Sequence, residues 1–306
     1  MMILRLMRKI TIFLSCWIAA VEALQSPTNP STNNVSRRKV LSTTPFLLSP
    51  LVALPNNSNA ADSLAAKLSK RDAAALKNSV FNIPPSAQVY PPFMRGEWDV
   101  SLKFAGYLFP SKNIGKDDIV KNVNIPGFQK CSIAAIADVG RELTTYPMKI
   151  QQNGLEDRIQ TLSGSINSHL GYKAVEDVKY DAASNPNRLS IEFIKNRTRN
   201  AERIELFCNA RESELVPNPA NEKLNIFVNS EYARQVTFSL SQEFGVARQV
   251  VGNYAHFWTW KENEGGETMT GNVLTATYLD PQDPMFFQEP AKPVSVYSHQ
   301  ISAKRI

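Results

Sequence analysis

From position 96 onward, apolar side chains recur at every second residue in one short run after another, and nothing else in the 306 residues narrows the fold as much. Trp98, Val100, Leu102 and Phe104 alternate with Glu97, Asp99, Ser101 and Lys103. Successive side chains on a strand point to opposite faces, so this alternation reads as a strand with one face buried and one wet. The same period returns in Cys131, Ile133 and Ala135, in Leu189, Ile191 and Phe193, and in Ile204, Leu206 and Cys208. Leu224, Ile226 and Val228 form another run, then Val236, Phe238 and Leu240. Arg248 to Trp260, Met269 to Tyr278 and Val294 to Ala303 complete the series. Turn signals separate the runs: Asn185-Pro186-Asn187, Pro217-Asn218-Pro219, Gly265-Gly266 and Pro281-Gln282-Asp283-Pro284. Between 139 and 182 the pattern weakens; short strands over Tyr146 to Gln151 and Asp157 to Ser163, and a loop around Gly171, are expected there. A long antiparallel sheet carries two unpaired edges unless it closes on itself. The expectation for residues 93–306 is therefore a mostly β domain, an antiparallel up-and-down β-barrel.

A helical segment precedes it. Leu64, Leu68, Ala75 and Leu76 recur at helical spacing within 62–79, among Lys67, Lys70, Arg71 and Lys77. One short amphipathic helix is predicted, ended by a Pro-rich link through Pro84-Pro85 and Pro91-Pro92, so that helix and linker span 61–92. The absence of an aromatic on its apolar side favours a brace against the domain over a membrane contact.

The first sixty residues read as addresses in series. Arg5, Arg8 and Lys9 precede an apolar stretch from Ile10 to Val21, with Ala19, Ala20 and Ala23 near its end. This is the layout of a secretory signal peptide over 1–23, and the apolar core is shorter than a membrane span requires. Residues 24–60 are a plastid transit and twin-arginine transfer segment. Leu24 to Ser36 is polar and free of acids, and Arg37-Arg38-Lys39 stands ahead of Pro45 to Leu54 and a closing Asn59-Ala60-Ala61. Ala23-Leu24-Gln25-Ser26-Pro27 resembles the cleavage junction of plastid proteins in algae with secondary plastids, with Leu24 where that junction usually carries Phe. The end point this order implies is the thylakoid lumen.

Charge follows from the same division. Of 34 basic and 28 acidic residues, six basic ones and Glu22 lie within 1–60, which leaves 28 against 27 in the mature chain. The high sequence pI belongs to the leader, and no net field remains to draw nucleic acid. Cys131 and Cys208 are too distant in sequence for a CxxC pair or a zinc knuckle. A single disulfide and two buried thiols both remain open.

Gly96-Glu97-Trp98 at the head of the first alternating strand resembles the Gly-x-Trp start of lipocalin-like barrels. The resemblance implies that Gly96 permits a sharp entry, that Trp98 plugs the barrel base, and that a basic residue of the last strand, Lys304 or Arg305, packs over the indole. More closely, the run from Arg95 to Pro110 and the closing run from Pro293 to Ser302 resemble a family of cyanobacteria, plants and algae, a domain of unknown function with plastid or lumenal members. It implies a single domain and a compartment, and it carries over no catalytic residue.

The richest local cluster is Tyr254, His256, Trp258 and Trp260, on one side of a strand, with Phe193 elsewhere in the sheet. Two readings stand: these rings fill the core, or they wall a pocket for a flat apolar pigment, quinone or lipid, with His256 available to a tetrapyrrole metal. His169 and His299 are scattered and form no metal motif with it. Ser163-Gly164-Ser165 is no nucleophile elbow, and Gly265-Gly266 no phosphate loop. The paired acids Asp117-Asp118 and Glu176-Asp177 read as solvated surface. The sequence thus points to a non-enzymatic lumenal protein. It either binds a small apolar ligand or serves assembly of a photosynthetic membrane complex with a filled barrel, and it is peripheral to the membrane at most.

Overall fold

The computed structural model describes residues 63–77, 85–127, 143–198, 201–240 and 247–306. The address segments over 1–60, the expected strand over 129–136 and Cys131 lie outside the described residues. Residues 62–218 with 222–306 pack as one unit.

Nine strands are built from the alternating runs: β1 (Gly96–Leu108), β2 (Leu143–Ile150), β3 (Val175–Asp181), β4 (Asn185–Phe193), β5 (Arg203–Asn218), β6 (Asn221–Leu240), β7 (Ala247–Glu262), β8 (Thr268–Tyr278) and β9 (Ser295–Arg305). They form one sheet in the order β2-β1-β9-β8-β7-β6-β5-β4-β3. From β3 to β9 the chain runs as a meander, and β1 then lies along β9, Trp98 opposite Arg305. The ladder slips once, between Phe104 and Gly106. The runs around Val228 and Val236, which read as two strands, belong to the single 20-residue β6.

Among the described residues the sheet is antiparallel but does not close into a barrel, which corrects the sequence expectation: β2 and β3 are its two edges there. The reason lies in the segment between them. Residues 158–170, read in part as a strand, form a helix, and His169 sits in its last turn instead of a loop. We number the helices α1 (Leu64–Ser69), α2 (Lys116–Lys121) and α3 (Arg158–Leu170). The Asp157 side chain caps α3 by accepting from Gln160 N at 3.1 Å, and Gly171 ends it at φ 80°. Leu162 and Ile166 turn inward, and α3 packs against both edge strands. Gly164 permits that approach, since a Cβ there would lie 2.9 Å from Pro147 Cδ on β2. Pro147 has no N–H to offer a further strand, which suits an edge. The exposed Glu176, Asp177 and Lys179 discourage pairing at β3. A helix thus stands where a closing ladder would.

The curled sheet has two faces. Inward, one apolar cluster gathers Trp98, Val100, Met148, Phe227, Trp260, Met269 and Ile301. A second gathers Ile166, Val178, Leu189, Ile191, Phe193, Ile204 and Tyr254. Outward, Val228, Tyr232, Phe257 and Tyr278 lie under Leu64 and Leu76. The N-terminal helix is shorter than the 62–79 read from sequence. Ser63 caps it, Arg71 breaks it at φ 51°, and a single 3₁₀ turn follows over Ala73–Ala75. Tyr278 and Tyr232 hold the segment by donating to Leu76 O at 2.6 Å and Lys77 O at 3.1 Å.

Candidate functional site

At one end of the sheet Trp98 is fully buried, and its indole N–H donates to Met94 O at 2.8 Å. The Arg305 guanidinium lies 4.2 Å from the ring centroid. Its N–H groups donate to Arg95 O at 2.8 Å, Gly266 O at 3.3 Å and Phe93 O at 3.4 Å. Gly96 adopts φ +119°, and a Cβ there would collide with the same guanidinium. Lys304, the other basic residue considered from sequence, is exposed. This end is a seal in which the indole and the Arg305 guanidinium are met by backbone carbonyls and a ring face.

Between the two inward clusters lies a cavity of about 90 Å³. Tyr254, His256, Trp258 and Trp260 line it together, at alternate positions of β7. Phe193 is not among its lining residues; it packs in the cluster beneath α3. His256 is held between neighbours, with ring centroids 4.9 Å from both Tyr254 and Trp258 and its Nδ1 2.9 Å from Thr275 Oγ1. Burial pushes its imidazole down to about 3, so the ring is neutral. Among the described residues no group of three His, Cys, Asp or Glu side chains comes together as a metal site.

The opposite wall is charged, and reading the sequence by apolar period missed it. Arg158 at the start of α3 grips Glu231 of β6 with two bonds of 2.8 and 2.9 Å. Arg211 of β5 donates to the same carboxylate at 2.7 Å and also reaches Ser86 O. Burial would raise the Glu231 carboxyl, but the two guanidiniums hold it well below the usual carboxylate range. Buried pairs of this kind lose about 3–5 kcal/mol when one partner is removed, since the survivor is left uncompensated.

Glu156 has no cation of its own. It accepts from the Tyr90 hydroxyl at 3.2 Å, while Arg158 is committed to Glu231. Burial pushes its carboxyl above the ordinary value, partly opposed by Arg158. A second space of about 20 Å³ adjoins, sharing Tyr90, Glu156, Arg158 and Glu231 as walls. Three amide oxygens around these spaces have no partner among the described residues: Asn187 Oδ1, Asn229 Oδ1 and Gln88 Oε1. Asn229 is only 2% exposed. A buried polar atom left unbonded costs about 1–3 kcal/mol, which marks this wall as incomplete on its own. The signal for it in the sequence was the polar alternation Asn229, Glu231 against Val228, Tyr232, whose polar side faces inward here.

Cys208 also lines the cavity as a free thiol, and burial pushes it up, so it carries no thiolate chemistry. Among the described residues no helix is long and apolar enough to cross a membrane. No curated protein and no solved structure matches the chain. Residues 83–306 match the family model described as Domain of unknown function (DUF6816), and the chain belongs to that family.

Proposed function

We propose that this domain is a non-enzymatic binding module of the thylakoid lumen that takes a small polar ligand in its interior. The observation that carries the reading is the lining of the cavity: an aromatic wall shares it with the unpartnered Asn187 Oδ1 and with Glu156, a carboxyl that no arginine side chain bonds, and the adjoining space holds two further unpartnered amide oxygens. The volume selects the size. Pockets for pigment- or quinone-sized ligands run from roughly 300 Å³ upward. About 90 Å³ also falls short of the roughly 150 Å³ that admits a benzene ring. The Gly96-Glu97-Trp98 start and the Arg305–Trp98 stack support an opened lipocalin-like ancestry, with α3 in the gap of the barrel. The lumenal address rests on the order of segments within 1–60.

Trp258 and Trp260 sit in the cavity wall and report on it. Purified protein should be colourless, and its tryptophan emission should change with small polar solutes in a saturable way. A pigment band that survives purification, or emission indifferent to every small solute, overturns the reading. N-terminal sequencing of the plastid-imported protein should find a start near residue 61; retention of Arg37-Arg38 overturns the lumenal address.

A second reading, a docking role in assembly of a membrane complex, is favoured by one exposed tip. Phe287 is 84% exposed on the turn between β8 and β9, with Tyr107 and Leu108 exposed at the end of β1. Ser111 and Asn113 tie the two loops by donating to Glu289 at 3.0 Å each. Phe287→Ser should release the protein from thylakoid membranes in sedimentation if that reading holds.

A further inference from the structure

We propose that the ligand is a small amine in its cationic form, of the size range from methylammonium to trimethylammonium, enclosed by the β7 aromatics and neutralised by Glu156. The proposal rests on the ligand-binding reading above and names the chemical class for that same cavity.

Three features exclude the other classes. An anion would need free guanidinium donors, but both Nη groups of Arg158 are engaged by Glu231, Arg211 is shared between Glu231 and Ser86 O, and Arg188, which also lines the cavity, is paired with Glu205. An anion would also leave the orphan amide oxygen of this cavity, Asn187 Oδ1, unbonded, since it asks for a donor. A neutral apolar guest would leave that oxygen equally unbonded and bring the Glu156 carboxyl no counter-charge. An ammonium answers these demands. Its N–H groups, or polarised methyl groups, face the acceptors, and its charge faces the rings of Tyr254, Trp258 and Trp260. Its counter-ion is the one carboxyl of the wall that no arginine holds.

The charge balance closes as well. Arg158, Arg211 and Glu231 together carry one net positive charge. With Glu156 protonated the empty site keeps that value. When the cation enters, the Glu156 proton leaves to solvent and the site with its guest carries the same net charge. Burial raises that carboxyl above its ordinary value, opposed by Arg158 and by hydrogen bonds from Thr161 and Tyr90. The groups facing it are Tyr90 from the segment before β1, Tyr146 of β2, Arg158 and Thr161 of α3, Arg211 of β5, Glu231 of β6 and His256 of β7. His256 is neutral and Glu231 is ionised throughout the range, so Glu156 is the group that titrates. Affinity for the amine should therefore rise as pH rises through the Glu156 range and then level off.

The test is calorimetric titration of the full protein with methylammonium, dimethylammonium and trimethylammonium chlorides, beside tert-butanol as the uncharged comparison and acetate as the anion. The expected result is binding of at least one ammonium ion at least tenfold tighter than tert-butanol or acetate. The apparent heat should differ between buffers of different ionisation enthalpy at the pH values where Glu156 is protonated before binding, as proton release requires. Glu156→Gln should weaken the ammonium at least tenfold while circular dichroism shows the fold retained. If that variant does not fold, the comparison of trimethylammonium with tert-butanol in the wild type decides alone. Equal or tighter binding of tert-butanol or acetate overturns the amine assignment and leaves the binding reading standing. Silence towards every probe, charged and neutral, overturns both.

Discussion

Arg305 and Arg158 both face the interior of this sheet, and their surroundings differ in kind. At the base, Arg305 spreads its donors over three backbone carbonyls and stacks on Trp98. Carbonyls and a ring face cannot titrate, so this contact is indifferent to pH and offers nothing to a guest. At the wall, Arg158 is matched by a carboxylate, with a second carboxyl and several unbonded amide oxygens beside it. The comparison separates a part that holds the fold from a part that the fold leaves unfinished.

Several measurements would break or sharpen that contrast. The largest effect should come from acid. His256 is held down to about 3 and His299 to about 4, mainly by burial. Both lie below the value of about 6.5 of an unfolded chain, so the unfolded state takes up protons first. Their contribution is complete above pH 6.5 and drains as pH falls, by roughly 2 kcal/mol for each ring at pH 5. Urea melts at pH 7 and pH 5 measure it; an unchanged midpoint would show that the rings are solvated. Glu231 adds a further loss below about pH 4.3, because its pairing exists only while it is ionised.

Trp98→Ala should follow, at about 4 kcal/mol, through loss of buried area and the cavity left beneath Arg305. Its penalty should be the same at pH 7 and pH 5. Glu231→Gln should cost about 3 kcal/mol and, unlike the tryptophan change, flatten the acid limb of the melting curve. If the two variants show the same pH profile, the distinction between base and wall fails. Arg305→Lys should cost about 1 kcal/mol, since an ammonium cannot reproduce the fork to Arg95 O and Phe93 O. Phe287→Ser should change stability by less than about 0.5 kcal/mol, because the ring is exposed, and thermal melting would show it.

Legibility in the sequence followed the same divide. The apolar period located β1, β4, β5, β7, β8 and β9, because each buries alternate large residues that no other pattern explains. The Trp98–Arg305 stack was visible from residues at the two ends of the sheet. Helix α3 was misread because Ser, Thr, Asn and Gln fill much of it, and Leu162, Ile166 and Leu170 are few against them. β3 went unseen for a related reason: Glu176, Asp177 and Lys179 outnumber the buried Val175 and Val178. Aromatics of the β7 wall stood out, but the charged wall did not. Glu156 with Arg158, Arg211 and Glu231 come from three separate places, and each alone reads as an ordinary surface charge. Only the curl of the sheet brings them together. Phe193 shows the converse, a large ring whose alternation is correct and whose neighbours are α3 and the far strands.

The pairing of β1 with β9 sets a constraint on how the chain becomes this molecule. The first strand made must wait for the last one before it gains its inner neighbour, and some two hundred residues are synthesised in between. Contacts so far apart in the chain are slow to form, so the sheet is completed after translation. A polypeptide that stays incomplete until its final strand arrives has its hydrophobic face exposed for longer, and is a natural client for chaperones.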